Sequence, residues 1–197
     1  MAERSAEIAR KTKETDITLS LSLDGSGTYE VSTGIGMLDH MLEQLAKHGR
    51  FDLRLRAKGD TERDTHHLAE DVGVVLGQAF NEALGERRGI VRFGHAIVPL
   101  DETLALVALD FSGRGHATID MKFDRELVGE LPLENLWHLL ESFAKEARMT
   151  LHVRLLSGEN DHHRAEAVFK ALARSLRAAV AIEPAAADDV PSTKDVL

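Results

Sequence analysis

No cysteine occurs among the 197 residues, which excludes a disulfide framework, a thiolate metal site and a thiol nucleophile. Any metal site must then be built from nitrogen and oxygen, a donor set suited to Mn, Zn, Fe or Ni more than to a soft ion. Aromatic residues make up only 5% of the chain, with one Trp and one Tyr, and Trp137 and Tyr29 are too isolated to form a stacking platform. No apolar run approaches a membrane span, and the opening stretch MAERSAEIARKTKETD lacks the apolar core of a secretory leader. The expectation is therefore no membrane partner and a cytoplasmic location. Basic residues are outnumbered 24 to 33, a formal charge of -9, which argues against nucleic acid while leaving room for a local basic pocket. There is no Walker loop and no Rossmann glycine fingerprint, so a bound phosphate would belong to a substrate and not to ATP or NAD.

What is present reads as an ordinary globular chain, 43% hydrophobic with four prolines, long enough for one large domain or two small fused ones. Residues 17 to 23 alternate, Ile17, Leu19, Leu21 and Leu23 against Thr18, Ser20 and Ser22, and predict a half-buried strand. Asp24-Gly25-Ser26-Gly27 turns the chain into a second strand near 28 to 32. An amphipathic helix follows from Met37 to about His48, with Leu38, Met41, Leu42 and Leu45 inward and His40 at the edge of the stripe. Phe51, Leu53, Leu55 and Ala57 mark another strand. A helix capped by Asp64 or Thr65 then runs to about Leu84.

The second half replays this order. Strands are predicted at 103 to 110 and about 115 to 123, joined through Phe111-Ser112-Gly113-Arg114. A helix at 134 to 147, a strand at 150 to 156 and a helix from Asp161 to about Val180 follow. His40 corresponds to His138 and Leu53 to Leu151 at the same offset; after a two-residue deletion His66, His67 and Glu70 correspond to His162, His163 and Glu166. A repeat this long is a duplicated α/β half-domain, not a solenoid unit. The halves are 1–91 and 92–184, with a tail at 185–197, and helices on one side of each sheet form the economical packing.

Two stretches carry the chemistry, Asp64-Thr65-His66-His67-Leu68-Ala69-Glu70-Asp71 and Asp161-His162-His163-Arg164-Ala165-Glu166-Ala167. On a helix the carboxylate stands three and four residues from the two histidines, on one face. Adjacent histidines lie about 100° apart around the axis and do not easily share one ion, so two blocks suggest two ions. With His40 and His138 the pool is six histidines and two glutamates, which leaves octahedral ions open positions for water or substrate. Pseudo-twofold symmetry suggests His40, His67 and Glu70 with one histidine of the second block on one ion. The other would take His138, His163 and Glu166 with one histidine of the first. His48, His95, His116 and His152 read as ordinary structural or surface residues. A second constellation is basic: Arg92 before the Phe93-Gly94 turn region, Arg114 after Ser112-Gly113, Lys170 one turn past Glu166, and Ser192 and Lys194 near the end. Such a set suits a phosphate.

Together these blocks resemble the imidazoleglycerol-phosphate dehydratases of histidine biosynthesis over residues 4 to 197. The resemblance rests on Thr12-Lys13-Glu14-Thr15, Ser32-Thr33-Gly34-Ile35-Gly36, Leu38-Asp39-His40-Met41-Leu42, Gly59-Asp60, both double-histidine blocks, Pro99-Leu100-Asp101-Glu102, Leu109-Asp110-Phe111-Ser112-Gly113-Arg114 and Pro191-Ser192-Thr193-Lys194. It implies an internally duplicated two-layer α/β sandwich with left-handed crossovers, ribosomal protein S5 domain 2-like, each half a mostly four-stranded sheet with two helices on one face. It also implies two Mn²⁺ per active site and a homo-oligomer of 24 chains in which neighbours complete each site. By position, His40, His66, His67, Glu70, His138, His162, His163 and Glu166 are the implied ligands. Arg92, Arg114, Lys170, Ser192 and Lys194 are the implied phosphate contacts, with Gln44 and Glu14 at the substrate. Met37 stands where the family usually has an aromatic, Thr65 where it often has Asp, and Asp195 where it usually has Gly. None of these departures removes a ligand.

The implied reaction removes water from D-erythro-1-(imidazol-4-yl)glycerol 3-phosphate and yields 3-(imidazol-4-yl)-2-oxopropyl phosphate. No carbonyl stabilises the carbanion, so the imidazole must serve as electron sink, as an imidazolate held between two metals. Loss of the hydroxyl gives a diazafulvene-like species, then an enol that tautomerises. Glu14 is the first candidate acid/base, with Asp101 or Glu102 second. A dinuclear phosphatase and a metal-holding storage shell are the rival readings. Release of inorganic phosphate would mark the first, and the basic set argues against the second.

Overall fold

The computed structural model describes residues 4–197. Strands β1 (Ser5–Lys11) and β2 (Thr15–Ser22) run antiparallel, with Ala6, Ile17, Leu19 and Leu21 buried on one face. β1 was absent from the strands expected from sequence, because only Ala6 and Ile8 mark its inward face among charged neighbours. Next come β3 (Tyr29–Ser32), helix α1 (Gly36–Gly49), β4 (Asp52–Gly59) and helix α2 (His66–Leu84). The sheet order is β1-β2-β4-β3. The turn after β2 thus does not lead to a neighbouring hairpin strand; β3 lies beyond β4 and runs parallel to it. Asp52 explains the detour, since its Oδ1 accepts from the amides of Ser26, Gly27 and Thr28 at 2.9, 3.0 and 2.9 Å. That ties the turn to the start of β4.

The second half has the same topology. It comprises β5 (Phe93–Leu100), β6 (Thr103–Asp110), β7 (His116–Asp120), the short pair β8 (Leu127–Val128) and β9 (Leu131–Pro132), helix α3 (Glu134–Glu146), β10 (Thr150–Ser157) and helix α4 (Asp161–Val180). The large sheet is ordered β5-β6-β10-β7, with β7 parallel to β10. The turn expected at Phe93-Gly94 is instead the first step of β5. Gly94 there meets the Ser175 carbonyl so closely that a Cβ would collide with it. Glycine lets strand and helix touch; it does not bend the chain. β5 escaped sequence reading because apolar residues occupy both of its faces, with Phe93 and Ile97 exposed.

The two halves stack helix face to helix face. α2 packs on α3 and on β1 and β2, while α4 packs on α1, β5 and β6. Four helices therefore lie between two sheets, and one continuous core joins Leu38, Leu42, Phe80, Phe143 and Phe169. Close approach of α2 to α3 depends on Gly73 and Gly77. A Cβ on Gly73 would strike the Leu139 carbonyl, and one on Gly77 would lie 2.7 Å from the Phe143 carbonyl. Gly73→Ala should cost about 1 to 3 kcal/mol despite its better helix propensity, because overpacking outweighs the gain. Urea titration of the metal-free chain checks this; unchanged stability would mean that the helices separate freely.

Candidate metal centre and anion groove

Each double-histidine block opens a helix, held there by local polar bonds. Asn160 caps α4, its side-chain oxygen accepting from the amides of His162 and His163 at 2.9 and 3.4 Å. At α2 the cap position is Thr65, which makes no capping bond of its own. Asp64 Oδ1 accepts from the His66 amide at 2.5 Å, and Thr65 Oγ1 accepts from Asn135 Nδ2 at 2.9 Å. That last bond links the start of α2 to the start of α3.

Helix pairing decides which ligands meet. α1 on α4 brings His40 to the second block: Glu166 Oε2 lies 3.2 Å from His40 Nε2 and 3.1 Å from His162 Nε2. Donor atoms of all three lie within 4.8 Å of one another. α2 on α3 forms the counterpart, with His66 and His138 rings 4.4 Å apart and His66 Nε2 3.7 Å from Glu70 Oε2. This second group is looser, because Glu70 is 47% exposed. The expected partition placed His40 with Glu70 and His138 with Glu166. The structure pairs them the other way, each group drawing one histidine from one half and a His/Glu pair from the other. The reason is that α1 and α2 do not face each other; each faces a helix of the other half.

His67 and His163 stand apart from both groups. His67 Nδ1 is 3.3 Å from both Asp60 oxygens, and His163 Nδ1 is 2.9 Å from Glu102 Oε2. These carboxylates raise the pKa of each ring. Glu102 in turn is held far below the usual carboxylate range by the Asn160 amide, His163 and the Glu159 amide. Burial alone would raise Glu166, but Lys170 at 2.6 Å and His40 pull it from its ordinary 4.5 down to about 2. An all-nitrogen-and-oxygen set of this kind, with an ionised carboxylate between imidazoles, has the donor chemistry to hold a first-row divalent ion.

Of the acid/base candidates, Glu14 lies in the turn between β1 and β2, not on the strand edge expected of it. It is half-exposed, and Oε2 is 4.0 Å from His67 Nδ1. Asp101 and Glu102 form the turn between β5 and β6. Asp101 adopts φ 48°, a left-handed position that Asp tolerates, and it is exposed. Gln44 sits one turn after His40, its Nε2 3.5 Å from His40 Nδ1 and its Oε1 3.1 Å from His48 Nε2.

The basic residues do not all converge within the chain. Arg92, Ser112, Arg114, Ser192 and Lys194 line a groove of about 510 Å³ at the end of the second sheet. Lys170 is elsewhere, on Glu166. Arg92 is already engaged: Nε and Nη2 donate to Asp110 at 2.6 and 3.1 Å, and Nη1 donates to the Pro191 carbonyl at 2.7 Å. It straps the tail to β6, a role that spacing did not reveal. The Arg114 and Lys194 side chains make no ion pair among the described residues.

The family model of imidazoleglycerol-phosphate dehydratase matches residues 33–176. The imidazoleglycerol-phosphate dehydratase of Dehalococcoides mccartyi is 55% identical over 197 residues, covering 100% of this chain and 99% of its own. That of Roseiflexus sp. is 53% identical over 194 residues, 98% of each chain. Among solved structures, the Pyrococcus furiosus enzyme superposes with a TM-score of 0.83 at 38% identity, covering 96% of this chain and 100% of that one. The Staphylococcus aureus enzyme gives 0.83 at 34% identity, covering 91% and 99%.

Proposed function

The chain belongs to the imidazoleglycerol-phosphate dehydratase family, and from that premise we propose that it removes water from D-erythro-1-(imidazol-4-yl)glycerol 3-phosphate in histidine biosynthesis. The product is 3-(imidazol-4-yl)-2-oxopropyl phosphate. The observation that carries the reading is the pair of cross-half groups, His40, His162 and Glu166 and His66, His138 and Glu70. Two such groups related by the internal repeat fit two Mn²⁺ ions. Bound there, the ions would supply the Lewis acidity that lets the substrate's imidazole act as electron sink.

The chain's own groups divide the remaining work. Glu14, whose carboxylate accepts no hydrogen bond among the described residues, protonates the departing hydroxyl and, once ionised, takes the proton from the neighbouring carbon. Arg114, Ser192 and Lys194 hold the phosphate, Arg92 keeps their tail in place, and Lys170 adds positive charge beside Glu166. Each cross-half group supplies three donors, one short of the four protein ligands that the pooled set offers each ion. His67 and His163 are the donors left over, and they complete sites of neighbouring copies in a homo-oligomer, 24 chains by family resemblance. Phe93 and Ile97, exposed on the outer face of the second sheet, favour such self-association. No helix among the described residues is long and apolar enough to cross a membrane.

The testing experiment is conversion of the imidazole glycerol phosphate with Mn²⁺ present. An enolisable ketone should form without inorganic phosphate; phosphate release would indicate a phosphatase instead. Elemental analysis of active protein should give about two ions per chain, as the two donor groups require. Acidification should strip them, because imidazole binds metal only when neutral. Ordinary histidines protonate near about pH 6.5. Metal retained fully at pH 5 would contradict imidazole ligation.

A further inference from the structure

We propose that Asp60 and Glu102 are positioning residues for the double-histidine blocks, each holding the outer histidine by Nδ1 so that Nε2 is the metal-binding atom. The proposal rests on the reading that His67 and His163 are ligands. A neutral imidazole carries one proton, and a carboxylate accepting at Nδ1 fixes it there, leaving the Nε2 lone pair bare. The contacts are 3.3 Å from Asp60 to His67 and 2.9 Å from Glu102 to His163. Both rings remain partly open, 39% and 28% exposed, and neither belongs to a histidine cluster of its own chain. His40 and His162 differ, because their Nε2 atoms already face Glu166.

The Glu102 carboxylate is itself fixed, and Asp60 is largely buried. Glu102 Oε1 accepts from the amides of Glu159 and Asn160 at 3.1 and 2.9 Å and from the Thr103 hydroxyl at 3.0 Å. Asp60 is 14% exposed, and its own amide donates to the Glu14 carbonyl at 3.1 Å. A fixed carboxylate restricts ring rotation as well as choosing the tautomer, so the ligand is aimed before any ion arrives.

The two halves reach this result with different residues. Asp60 follows β4, and Gly158 stands at the matching place after β10. Glu102 precedes β6, and Glu14 stands at the matching place before β2. Because Asp60 takes the ring in the first half, the Glu14 carboxylate accepts no hydrogen bond among the described residues. Glu102 is committed to His163 and cannot serve as the second acid/base candidate without releasing it. The repeat places equivalent glutamates before β2 and β6, and Asp60, standing where the second half has Gly158, leaves Glu14 without the histidine bond that Glu102 makes.

Calorimetric Mn²⁺ titration of the metal-free chain tests this, using Asp60→Ala, Glu102→Ala, the amide variants Asp60→Asn and Glu102→Gln, and His163→Ala as benchmark. Each alanine variant should weaken one ion by about 10- to 100-fold, the range for lost outer partners of metal-bound histidine. Two ions should still bind at saturation, and excess Mn²⁺ should restore kcat without changing substrate KM. The amide variants should fall between, since an amide oxygen accepts the same N–H without the charge; they carry the test if an alanine variant fails to fold. Wild-type Mn²⁺ affinity in Glu102→Ala and Asp60→Ala, with His163→Ala weakened, overturns the positioning role alone. Unchanged binding in His163→Ala removes the ligand reading, and this proposal with it.

Discussion

Glu166→Gln should leave a protein that holds one Mn²⁺ instead of two and turns over at most about one-thousandth as fast, several kcal/mol of lost charge stabilisation. Glu166 is the hinge of its group: one oxygen faces His40 and His162, the other faces Lys170. An amide keeps the shape but loses the charge that both imidazoles and the ammonium require. Glu70→Gln should remove the other ion, since Glu70 occupies the matching place by the repeat. The looser His66–Glu70 distance of 3.7 Å predicts that this second ion is the weaker one in wild type. The metal-free protein offers a separate check. Glu166 has its pKa lowered from 4.5 to about 2, so its contribution to stability is present above pH 4.5 and fades as pH falls towards 2. Wild type should therefore exceed Glu166→Gln in chelator-treated denaturation at pH 7, and the gap should close at low pH. Two ions bound in Glu166→Gln would end the two-group assignment.

Neutralising Arg114 or Lys194 should raise KM with both metals retained. Both line the groove of about 510 Å³ with Ser192, and neither contacts a histidine. A charge-assisted hydrogen bond to phosphate is worth roughly 1.5 to 3 kcal/mol, or about a 10- to 150-fold loss in kcat/KM. Arg92→Gln should look similar for a different reason, because cutting its bonds to Asp110 and the Pro191 carbonyl releases the tail that carries Lys194. Proteolysis separates the two: only the Arg92 variant should expose the last residues to cleavage. Lys170 is bonded to Glu166 and not to the groove, so Lys170→Met should raise metal affinity, because the ammonium competes with a cation for that carboxylate. Calorimetry with a phosphonate-bearing imidazole or triazole analogue measures the anion contribution without turnover. Wild-type affinity in Lys194→Ala would make the tail a packing element only.

By itself the primary sequence made most of the elements legible, and it supplied the candidate donor residues. Alternation of Ile17, Leu19 and Leu21, the apolar stripe of α1 and the His-His-x-x-Glu spacing are local patterns, and local geometry turns them into strands, helices and shared faces. The repeat added that whatever one half offers the other offers too. β1 and β5 escaped because their burial comes from α2 and α4 packing over them, which no local pattern in charged or doubly apolar strands reveals.

Tertiary structure alone decided how the donors are grouped. His40 and Glu166 are 126 residues apart, and their meeting follows from α1 packing on α4 and α2 on α3 instead of each pair within its own half. Helix packing depends on complementary apolar surfaces and on small residues such as Gly73 and Gly77, quantities that exist only once four helices are assembled. The same holds for roles. Glu14 and Glu102 are the same residue type at matching positions of a duplicated chain, yet Glu102 hydrogen-bonds His163 while Glu14 stands 4.0 Å from His67 without a hydrogen bond. Arg92 and Arg114 are both basic residues beside one groove, yet only Arg92 is consumed by Asp110. A side chain's chemistry is set by its partners, and partners distant in sequence are chosen by the fold.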